Sequence, residues 1–332
     1  MKSIFKIIAS LLLFSVLAFP VALTAENIAA STQKGRLLYL VAGLDDAAEN
    51  TDALLIVSFN TRDNTAAIVQ LPRDTYVNIG DKKAKINSLY SSSKIEGLTS
   101  KKAMKKTSDF VGSALGISLD GYIAITTDSF SRAIDALGGV TVSLVQDFVH
   151  NDKDPGKSFV LRAGENTLDG RQSLIFVRHR KSYLTADLGR LDAQKIFISG
   201  LYNTAMKKAG RDELMASVKE LRKGSVTDFS LMDLLVILLK HSSKFRDTEI
   251  TYLTMPGEAV ADESGKWYYV LNRAATEKVI KKYFSSDEKV FDSKRVFLND
   301  KNSRFAEIYN RQSFTFKEYQ SDNLNGIIIP KA

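Results

Sequence analysis

Two neighbouring apolar segments constrain the fold of this chain more than any other feature. They are ALLIVSF at residues 53–59 and TAAIVQL at residues 65–71, and the five residues between them, Asn-Thr-Arg-Asp-Asn, have the composition of a turn. This pattern predicts a β-hairpin. Because consecutive residues of both strands are apolar, both faces of the sheet must be covered, and helices are the elements that usually cover them.

The remaining sequence interleaves further apolar, strand-like runs with segments of helical periodicity. Strands are predicted at residues 36–43, 121–126, 140–145, 249–255 and 267–271. Helices are predicted at residues 101–115, 128–137, 187–208, 212–222, 229–240 and 274–284. This interleaving predicts an α/β fold, a three-layer α/β/α sandwich with a central mixed, largely antiparallel sheet.

The N-terminus has the pattern of an export signal. Lys2 and Lys6 precede an apolar run at residues 7–19, and apolar residues resume after Pro20 as far as Ala25. The segment is about long enough to span a bilayer, so a cleaved signal peptide and a retained anchor both stand. Basic residues before it place the rest of the chain outside the cytoplasm. We expect a protein on the extracytoplasmic face of the cell membrane, or a secreted one if the signal is cleaved.

The chain is expected to divide into three parts. Residues 1–30 are the signal peptide or membrane anchor, residues 31–285 are a catalytic domain, and residues 286–332 are a polar tail of unknown role.

Charge and composition exclude several classes of protein. The 46 Lys and Arg residues outnumber the 38 Asp and Glu residues, an excess of +8 that suits an acidic partner or simply aids solubility. The absence of cysteine removes thiolate catalysis and cysteine-bound zinc. The three histidines lack metal-ligand spacing, and no G-x-S-x-G is present, which argues against zinc and triad hydrolases. No nucleic-acid-binding signature occurs, so we expect no nucleic-acid partner.

The first candidate site lies at the open end of the hairpin. Antiparallel pairing reflects residue numbers about the point between Arg62 and Asp63, which places Asp52 opposite Arg73 with Asp74 next in the chain. Directly opposed residues lie about 5 Å apart. Carboxylate oxygens suit Mg²⁺ and an arginine suits phosphate, so the trio predicts a metal–phosphate site. A structural ion pair with turn-capping aspartates is the alternative.

The second candidate site joins the end of one apolar segment to the start of a long helix. Arg178 and Arg180 converge on one anion if a helix or strand ends near Val177, because residues two apart share a face only in extended backbone. Asp187, Arg190 and Gln194 lie on one helix face that continues into apolar residues, namely Ile198, Leu201 and Ala205. The arrangement predicts a polyphosphate cradle at a helix N-terminus. The alternative is a solvated charge cluster in which Asp187 caps the helix.

Taken together, these residues resemble the LytR-CpsA-Psr family of cell-wall glycopolymer transferases, over residues 37–284. The motifs that carry the resemblance are Asn50-Thr51-Asp52, Pro72-Arg73-Asp74, Lys85-Ile86-Asn87 with Tyr90, the ALGGV run at residues 136–140, Leu168-Asp169-Gly170, Val177-Arg178-His179-Arg180, and Asp187-Leu188-Gly189-Arg190 with Gln194. One position departs from the family pattern. The family commonly has arginine immediately before the final glutamine, where this chain has Ala193. One contact to a phosphate or lipid headgroup is therefore expected to be missing.

The resemblance implies a donor, an acceptor and a role for each residue. The donor is a polyprenyl pyrophosphate-linked glycan, and the acceptor is a sugar hydroxyl of peptidoglycan. The resemblance implies that Mg²⁺ (or Mn²⁺) binds to Asp52 and Asp74, and that Lys85, Asn87 and Tyr90 bind substrate. Its catalytic residues are Arg73, Arg178, Arg180, Asp187, Arg190 and Gln194. Asp187 either orients an arginine or accepts the hydroxyl proton.

Two other functions remain open at this point. A pyrophosphatase would use the same site with water as the acceptor. A non-catalytic regulator of the cell envelope would bind a polyanion through the positive charge alone.

Overall fold

The computed structural model describes most of the chain between residues 35 and 284. The described residues are 35–45, 47, 49–60, 62–63, 65–80, 82–179, 187–205, 211–228, 249–284, 295–296, 298–299 and 314–315. The predicted export segment and the helix predicted at residues 229–240 lie outside them. No helix within the described ranges is long and apolar enough to cross a membrane.

Strands and helices interleave along the chain as the sequence predicts. The strands are β1 Arg36–Leu44, β2 Thr51–Asn60, β3 Thr65–Gln70, β4 Tyr76–Ile79, β5 Lys82–Lys85, β6 Gly121–Ile125, β7 Val140–Leu144, β8 Phe148–His150, β9 Phe159–Leu161, β10 Gly164–Leu168, β11 Ser225–Thr227, β12 Glu249–Thr254, β13 Gly257–Ala261, β14 Trp267–Asn272, β15 Leu298–Asn299 and β16 Phe314–Thr315. The helices are α1 Ser88–Ile95, α2 Ser100–Leu115, α3 Thr127–Ala136, α4 Gly170–Arg178, α5 Asp187–Asn203, α6 Arg211–Lys223 and α7 Arg273–Tyr283.

The largest sheet has seven strands in the order β11-β6-β1-β2-β3-β12-β16. Four of its six pairings are antiparallel, and β1 with β6 and β3 with β12 are the two parallel ones. This confirms the predicted α/β class with a mixed, largely antiparallel central sheet. Consecutive residues of β1, β3 and β6 are buried, so both faces of the sheet are covered.

The β2–β3 hairpin has the predicted register. Asn60 pairs with Thr65 and Leu55 pairs with Gln70, as reflection about the centre of the turn requires. The turn is closed by its own polar side chains: Asn60 Nδ2 donates to Asp63 Oδ2 at 2.8 Å, and Thr65 Oγ1 donates to Asp63 Oδ1 at 2.7 Å. Turn chemistry therefore fixes which residues meet at the other end of the hairpin.

The described chain forms two compact units. One unit holds the described residues from Asp128 to Lys223. The other holds those up to Thr127 and those from Gly224 to Thr315, and it contains the seven-stranded sheet. In the first unit β7 pairs with β10 and β8 pairs with β9, so the strand predicted at residues 140–145 belongs to a small separate sheet.

Helix α2 shows how local sequence sets the boundaries of an element. Thr99 caps its N-terminus by accepting from Lys102 N at 3.4 Å, and Gly116 ends it in the left-handed conformation at φ 66°. One face is buried, including Met104 and Val111, while the lysines of the opposite face are exposed.

The segments that the sequence did not predict are mostly short. Strands β8, β9 and β11 have three residues each, and β5 is the polar run Lys-Lys-Ala-Lys. Beyond residue 285, β15 pairs with β14, and β16 pairs with β12 at the edge of the main sheet. The C-terminal segment thus supplies strand pairs, although its sequence shows no strand pattern.

Candidate functional site

The open end of the hairpin brings an arginine and an aspartate into direct contact. Arg73 Nη1 lies 2.6 Å from Asp52 Oδ1, and the two side chains are 16% and 17% exposed. Strand β3 ends at Gln70, and Leu71 N still donates to Leu54 O at 2.8 Å, so the hairpin alignment continues past the strand end. The structure therefore places Arg73 beside Asp52, as the symmetry of the hairpin predicts.

Asp74 meets a lysine that lies eleven residues further along the chain. Lys85 Nζ lies 3.1 Å from Asp74 Oδ1, and both side chains are about one quarter exposed. Lys85 is the last residue of β5, which pairs with β4 so that Tyr76 lies opposite Lys85. We call Asp52, Arg73, Asp74 and Lys85 the strand-end cluster. It contains two acidic and two basic side chains.

The Lys-Ile-Asn motif holds the backbone of this cluster in place. Asn87 N donates to Arg73 O at 3.1 Å, Ile86 N donates to Thr75 O at 2.9 Å, and Thr51 N donates to Asn87 O at 3.4 Å. Asn87 thereby ties the start of β2 to the turn that carries Arg73. Tyr90 is 1% exposed, so its side chain packs in the core.

Strand β14 supports the cluster from another side. Tyr269 N donates to the backbone oxygen of Asp74 at 2.8 Å, and the Tyr269 hydroxyl donates to Met255 O at 2.9 Å. Burial raises the pKa of Tyr269 well above its usual value, so the hydroxyl remains a donor at any physiological pH. No sequence pattern indicates this support, because it depends on how β14 meets the Pro72–Asp74 turn.

The second predicted site begins at the end of α4. The helix ends at Arg178, and His179 follows in extended backbone at φ −63° and ψ 140°. Convergence of Arg178 and Arg180 on one anion requires extended backbone between them, and His179 has that conformation. Arg178 is partly exposed. Arg180 lies outside the described residues.

Two residues of the family motif fix the start of α4. Asp169 accepts from Gln172 N at 2.7 Å and Gln172 Oε1 accepts from Asp169 N at 3.2 Å, a complete capping box. Gly170 N donates to Asp135 Oδ1 at 2.7 Å, and a Cβ on Gly170 would lie 2.6 Å from the carbonyl carbon of Ser131. Only glycine fits here, which gives the Leu-Asp-Gly motif a packing role.

Helix α5 carries the other residues of the second site. Asp187 and Arg190 lie within the helix, but their side chains are outside the described set. Gln194 is 9% exposed, and its Nε2 donates to Val177 O at 3.0 Å, so its amide secures the last turn of α4. Ile198, Leu201 and Ala205 are buried, but so is every residue from 193 to 201, so burial does not distinguish the predicted face. Ala193 is 2% exposed.

An aromatic cluster that the sequence analysis did not identify packs beside Arg178. The His179 ring lies 4.9 Å from the Phe148 ring and 6.0 Å from the His150 ring, between centroids. Phe148 also packs edge-on against Phe176 of α4 at 5.2 Å. These contacts fix the direction in which the chain leaves α4.

No group of three or more potential metal ligands from His, Cys, Asp or Glu occurs in the part of the chain that the structure describes. Asp52 and Asp74 supply two carboxylates, each with one oxygen in an ion pair. Mg²⁺ is usually held by one or two carboxylates together with substrate phosphates, so this pair fits a magnesium ion that binds with its phosphate ligand.

The fold and the strand-end cluster define an α/β protein with paired arginine and aspartate side chains at the end of its main sheet. The chain belongs to the LytR-CpsA-Psr family, because the LytR_cpsA_psr family model matches residues 21–285. Both sites described above fall inside that range.

Similar proteins carry related names. The chain is 29% identical over 244 residues to the polyisoprenyl-teichoic acid–peptidoglycan teichoic acid transferase TagU of Oceanobacillus iheyensis. The aligned residues cover 72% of this chain and 72% of that protein. It is 26% identical over 253 residues to the transferase TagV of Bacillus subtilis, covering 73% of this chain and 62% of that protein. A solved structure of TagT bound to LIIa-WTA aligns with a TM-score of 0.58 at 25% identity, covering 75% of this chain and 89% of the other.

Proposed function

We propose that this protein transfers a glycopolymer of the teichoic acid or capsule type from a polyprenyl pyrophosphate carrier to peptidoglycan. The observation that carries the proposal is the strand-end cluster, in which Asp52 holds Arg73 next to Asp74 within motifs shared with the family. The names of TagU and TagV support the same acceptor and the same kind of polymer.

The reaction is a substitution at phosphorus. The oxygen of a peptidoglycan hydroxyl forms a bond to the phosphorus that carries the glycan, and the bond from that phosphorus to the bridging oxygen breaks. Polyprenyl phosphate leaves with the bonding electrons, and the hydroxyl proton passes to a carboxylate or to water. The glycan remains linked through one phosphodiester, so no oxidant or further reactant is needed.

Arg73 is suited to bind the pyrophosphate. Its guanidinium presents five N–H donors in a plane, and this geometry grips phosphate oxygens in pairs. Asp52 orients it through the 2.6 Å contact, and Asn87 fixes the backbone beneath it. Because both side chains are mostly buried, charge stabilisation there is stronger than in water.

Asp52 and Asp74 would hold a Mg²⁺ or Mn²⁺ ion, which would neutralise charge on the pyrophosphate oxygens. Lys85 balances the Asp74 carboxylate at 3.1 Å and lies within reach of the same anion. The motif match assigns Arg178, Arg180 and Arg190 to the donor phosphates and Asp187 to the orientation of an arginine or to proton acceptance. Gln194 takes part by securing the α4 turn that ends in Arg178.

A transferase with these substrates would act at the outer face of the cell membrane, and we propose that location for this protein. A polyprenyl carrier resides in the bilayer and peptidoglycan lies outside it, which agrees with the basic and apolar N-terminus. Whether that segment is cleaved can be read from the N-terminus of the mature protein.

Arg73→Ala tests the proposal directly. We expect this substitution to lower kcat/KM for transfer by about a hundredfold or more, by analogy with loss of one oxyanion donor. The assay measures release of polyprenyl phosphate and attachment of glycan to peptidoglycan. Arg162→Ala is the matched control, since Arg162 Nη1 also lies 2.6 Å from an aspartate oxygen, but its side chain is 77% exposed. Equal activity of the two variants would contradict the proposal.

Asp74→Asn examines the second half of the cluster. It should abolish the dependence of transfer on added Mg²⁺ together with most of the activity. Asp109→Asn is its control, because that carboxylate pairs with Lys105 on the exposed face of α2. A fully active Asp74→Asn enzyme with an unchanged Mg²⁺ profile would exclude this residue as a metal ligand.

A further inference from the structure

A cavity of about 500 Å³ opens beside the strand-end cluster, in the same compact unit. Its walls are the β4–β5 hairpin and the β13–β14 hairpin with the turn that joins β13 to β14. The lining residues that matter here are Tyr76, Lys83, Val260, Asp262, Glu263 and Tyr268. The volume falls in the range of small-ligand sites, about 300–1,000 Å³.

Two tyrosine rings form a rigid apolar floor for this cavity. The rings of Tyr76 and Tyr268 stack with their centroids 4.3 Å apart and their planes 28° from parallel. Both rings line the cavity, but they are only 8% and 4% exposed, so the core holds them in place and a small part of each faces the cavity. A sugar ring has an apolar C–H face and a polar rim, and aromatic surfaces with nearby polar groups are the sites that accept such a shape.

The rim of the cavity carries charges of both signs. Lys83 is basic, and Asp262 and Glu263 are acidic. This mixture differs from that of another cavity, of about 510 Å³ beside α2, where three lysines and Arg295 face a single aspartate. A polyanionic polymer is favoured by an excess of positive charge. A rim that carries both signs suits a ligand with neutral sugars and peptide groups of both signs.

The cavity is connected to the reacting end of the strand-end cluster. Lys85 Nζ lies 6.0 Å from the centre of the Tyr268 ring and 3.1 Å from Asp74 Oδ1, which puts the ring within about 9 Å of the carboxylate. The next residue, Tyr269, donates its backbone N–H to Asp74 O. A glycan that rests on the tyrosine floor can therefore extend a hydroxyl to the cluster.

We propose that this cavity is the subsite for the acceptor, in which a segment of peptidoglycan glycan with its peptide binds between the two hairpins. The inference rests on the proposed function, since it names where the acceptor of that reaction binds. The tyrosine floor supports the sugar rings, and the rim of Lys83, Asp262 and Glu263 meets the charged groups of the peptide.

Filling the cavity is the direct test. Val260, 39% exposed, lines the cavity from β13, and Val260→Trp should raise the dissociation constant for muramidase-released disaccharide-peptide fragments at least tenfold. The matched control is Ala259→Trp, an exposed neighbour on the same strand that does not line the cavity. Binding is measured by titration calorimetry without donor present.

A charge change provides a second, independent variant. Lys83→Glu alters the rim, whereas Lys82→Glu makes the same change in net charge at the preceding residue of β5, and both lysines are exposed. We expect the first to weaken fragment binding severalfold and the second to leave it unchanged. Because both sites are on the surface, this pair serves if Val260→Trp fails to fold.

The outcomes separate the acceptor subsite from the proposed function. If the cavity variants transfer glycan with a raised KM for the acceptor and an unchanged KM for the donor, the result supports the subsite. Transfer with equal acceptor KM in Val260→Trp and Ala259→Trp overturns the subsite and leaves the function standing. If the cavity variants bind fragments more weakly than the wild type, but the wild type transfers no glycan, the result supports the subsite and contradicts the proposed function. Failure of the wild type to bind fragments at millimolar concentration also overturns the subsite.

Discussion

Gly170 is the position where the structure makes the sharpest prediction about how the fold supports the site. The residue begins α4, the helix that ends in Arg178, and its Cα faces the backbone of Ser131 on α3. A Cβ placed on Gly170 would lie 2.6 Å from the Ser131 carbonyl carbon and 2.8 Å from its Cα. All of these neighbours are backbone atoms, so no rotamer change relieves the overlap.

The size of the effect follows from this geometry. Carbon atoms in contact prefer about 3.5–4.0 Å, so α4 and α3 must separate by roughly 1 Å in Gly170→Ala. Overpacking of this kind usually costs about 1–3 kcal/mol. A displacement of about 1 Å near reacting groups can also lower the rate by about a hundredfold. We therefore expect Gly170→Ala to lower both the free energy of unfolding and kcat.

Denaturant unfolding and the transfer assay measure the two effects. Gly156→Ala is the matched control in the same unit, because a Cβ there would meet only Asp154 Oδ1 at an ordinary 3.4 Å and its φ is not left-handed. That control should be neutral or gain up to about 1 kcal/mol from reduced unfolded-state entropy. If Gly170→Ala matched the control in stability and rate, the account of the Leu-Asp-Gly motif as a packing requirement would be refuted.

Two further predictions concern stability. Asp169→Ala removes the capping box that Asp169 shares with Gln172, and we expect it to lower the free energy of unfolding by about 1 kcal/mol. Denaturant unfolding measures this change, and a decrease below about 0.3 kcal/mol would contradict the stabilising role of the cap. Burial raises the pKa of Asp228, so the folded protein holds that proton more tightly than the unfolded chain, and stability falls as the pH rises from 3.8 through the raised pKa. Asp228→Asn keeps an acceptor for the Tyr122 N–H but carries no titrating group. Its free energy of unfolding should therefore rise relative to that of the wild type as the pH increases through this window. Parallel pH profiles of the two proteins would contradict the prediction.

The strand-end cluster shows how far sequence reasoning reaches. The turn residues at 60–64 fix the centre of the hairpin, and the two-residue period of paired strands then places Arg73 against Asp52 without any knowledge of the fold. The contact between Lys85 and Asp74 could not be derived in this way, because the β4–β5 pair is short and partly polar. The family motif pointed to Lys85, but only the fold shows which charge it meets.

The second site shows where local rules stop. Helical periodicity predicts one buried face for α5, but every residue from Ala193 to Leu201 is buried, so the helix is covered on all sides and the structure does not single out that face. The partner of Gln194 is a backbone carbonyl of α4, at Val177, and that contact depends on how two helices pack. The predicted direct role of Gln194 at the donor stays a prediction, while its contact with α4 is a structural finding.

The tyrosine floor of the cavity was absent from the sequence analysis for a related reason. Tyr76 lies on a four-residue strand and Tyr268 lies nearly two hundred residues later, and neither belongs to a recognisable motif. The isolated bridge between Thr75 and Tyr269 and the hydrogen bond from Tyr269 N to Asp74 O bring the two segments together. Long-range pairing of short strands is the information that a single sequence carries least clearly.

The central claim is that phosphorus moves with the glycan from the lipid to peptidoglycan. The most direct measurement uses a donor labelled with ³²P at the phosphorus that carries the glycan, incubated with the wild-type enzyme, Mg²⁺ and peptidoglycan. The account predicts label bound covalently to peptidoglycan in an amount equal to the polyprenyl phosphate released, with both lost in Arg73→Ala. Label recovered only as soluble glycan phosphate would identify a pyrophosphatase and contradict the account.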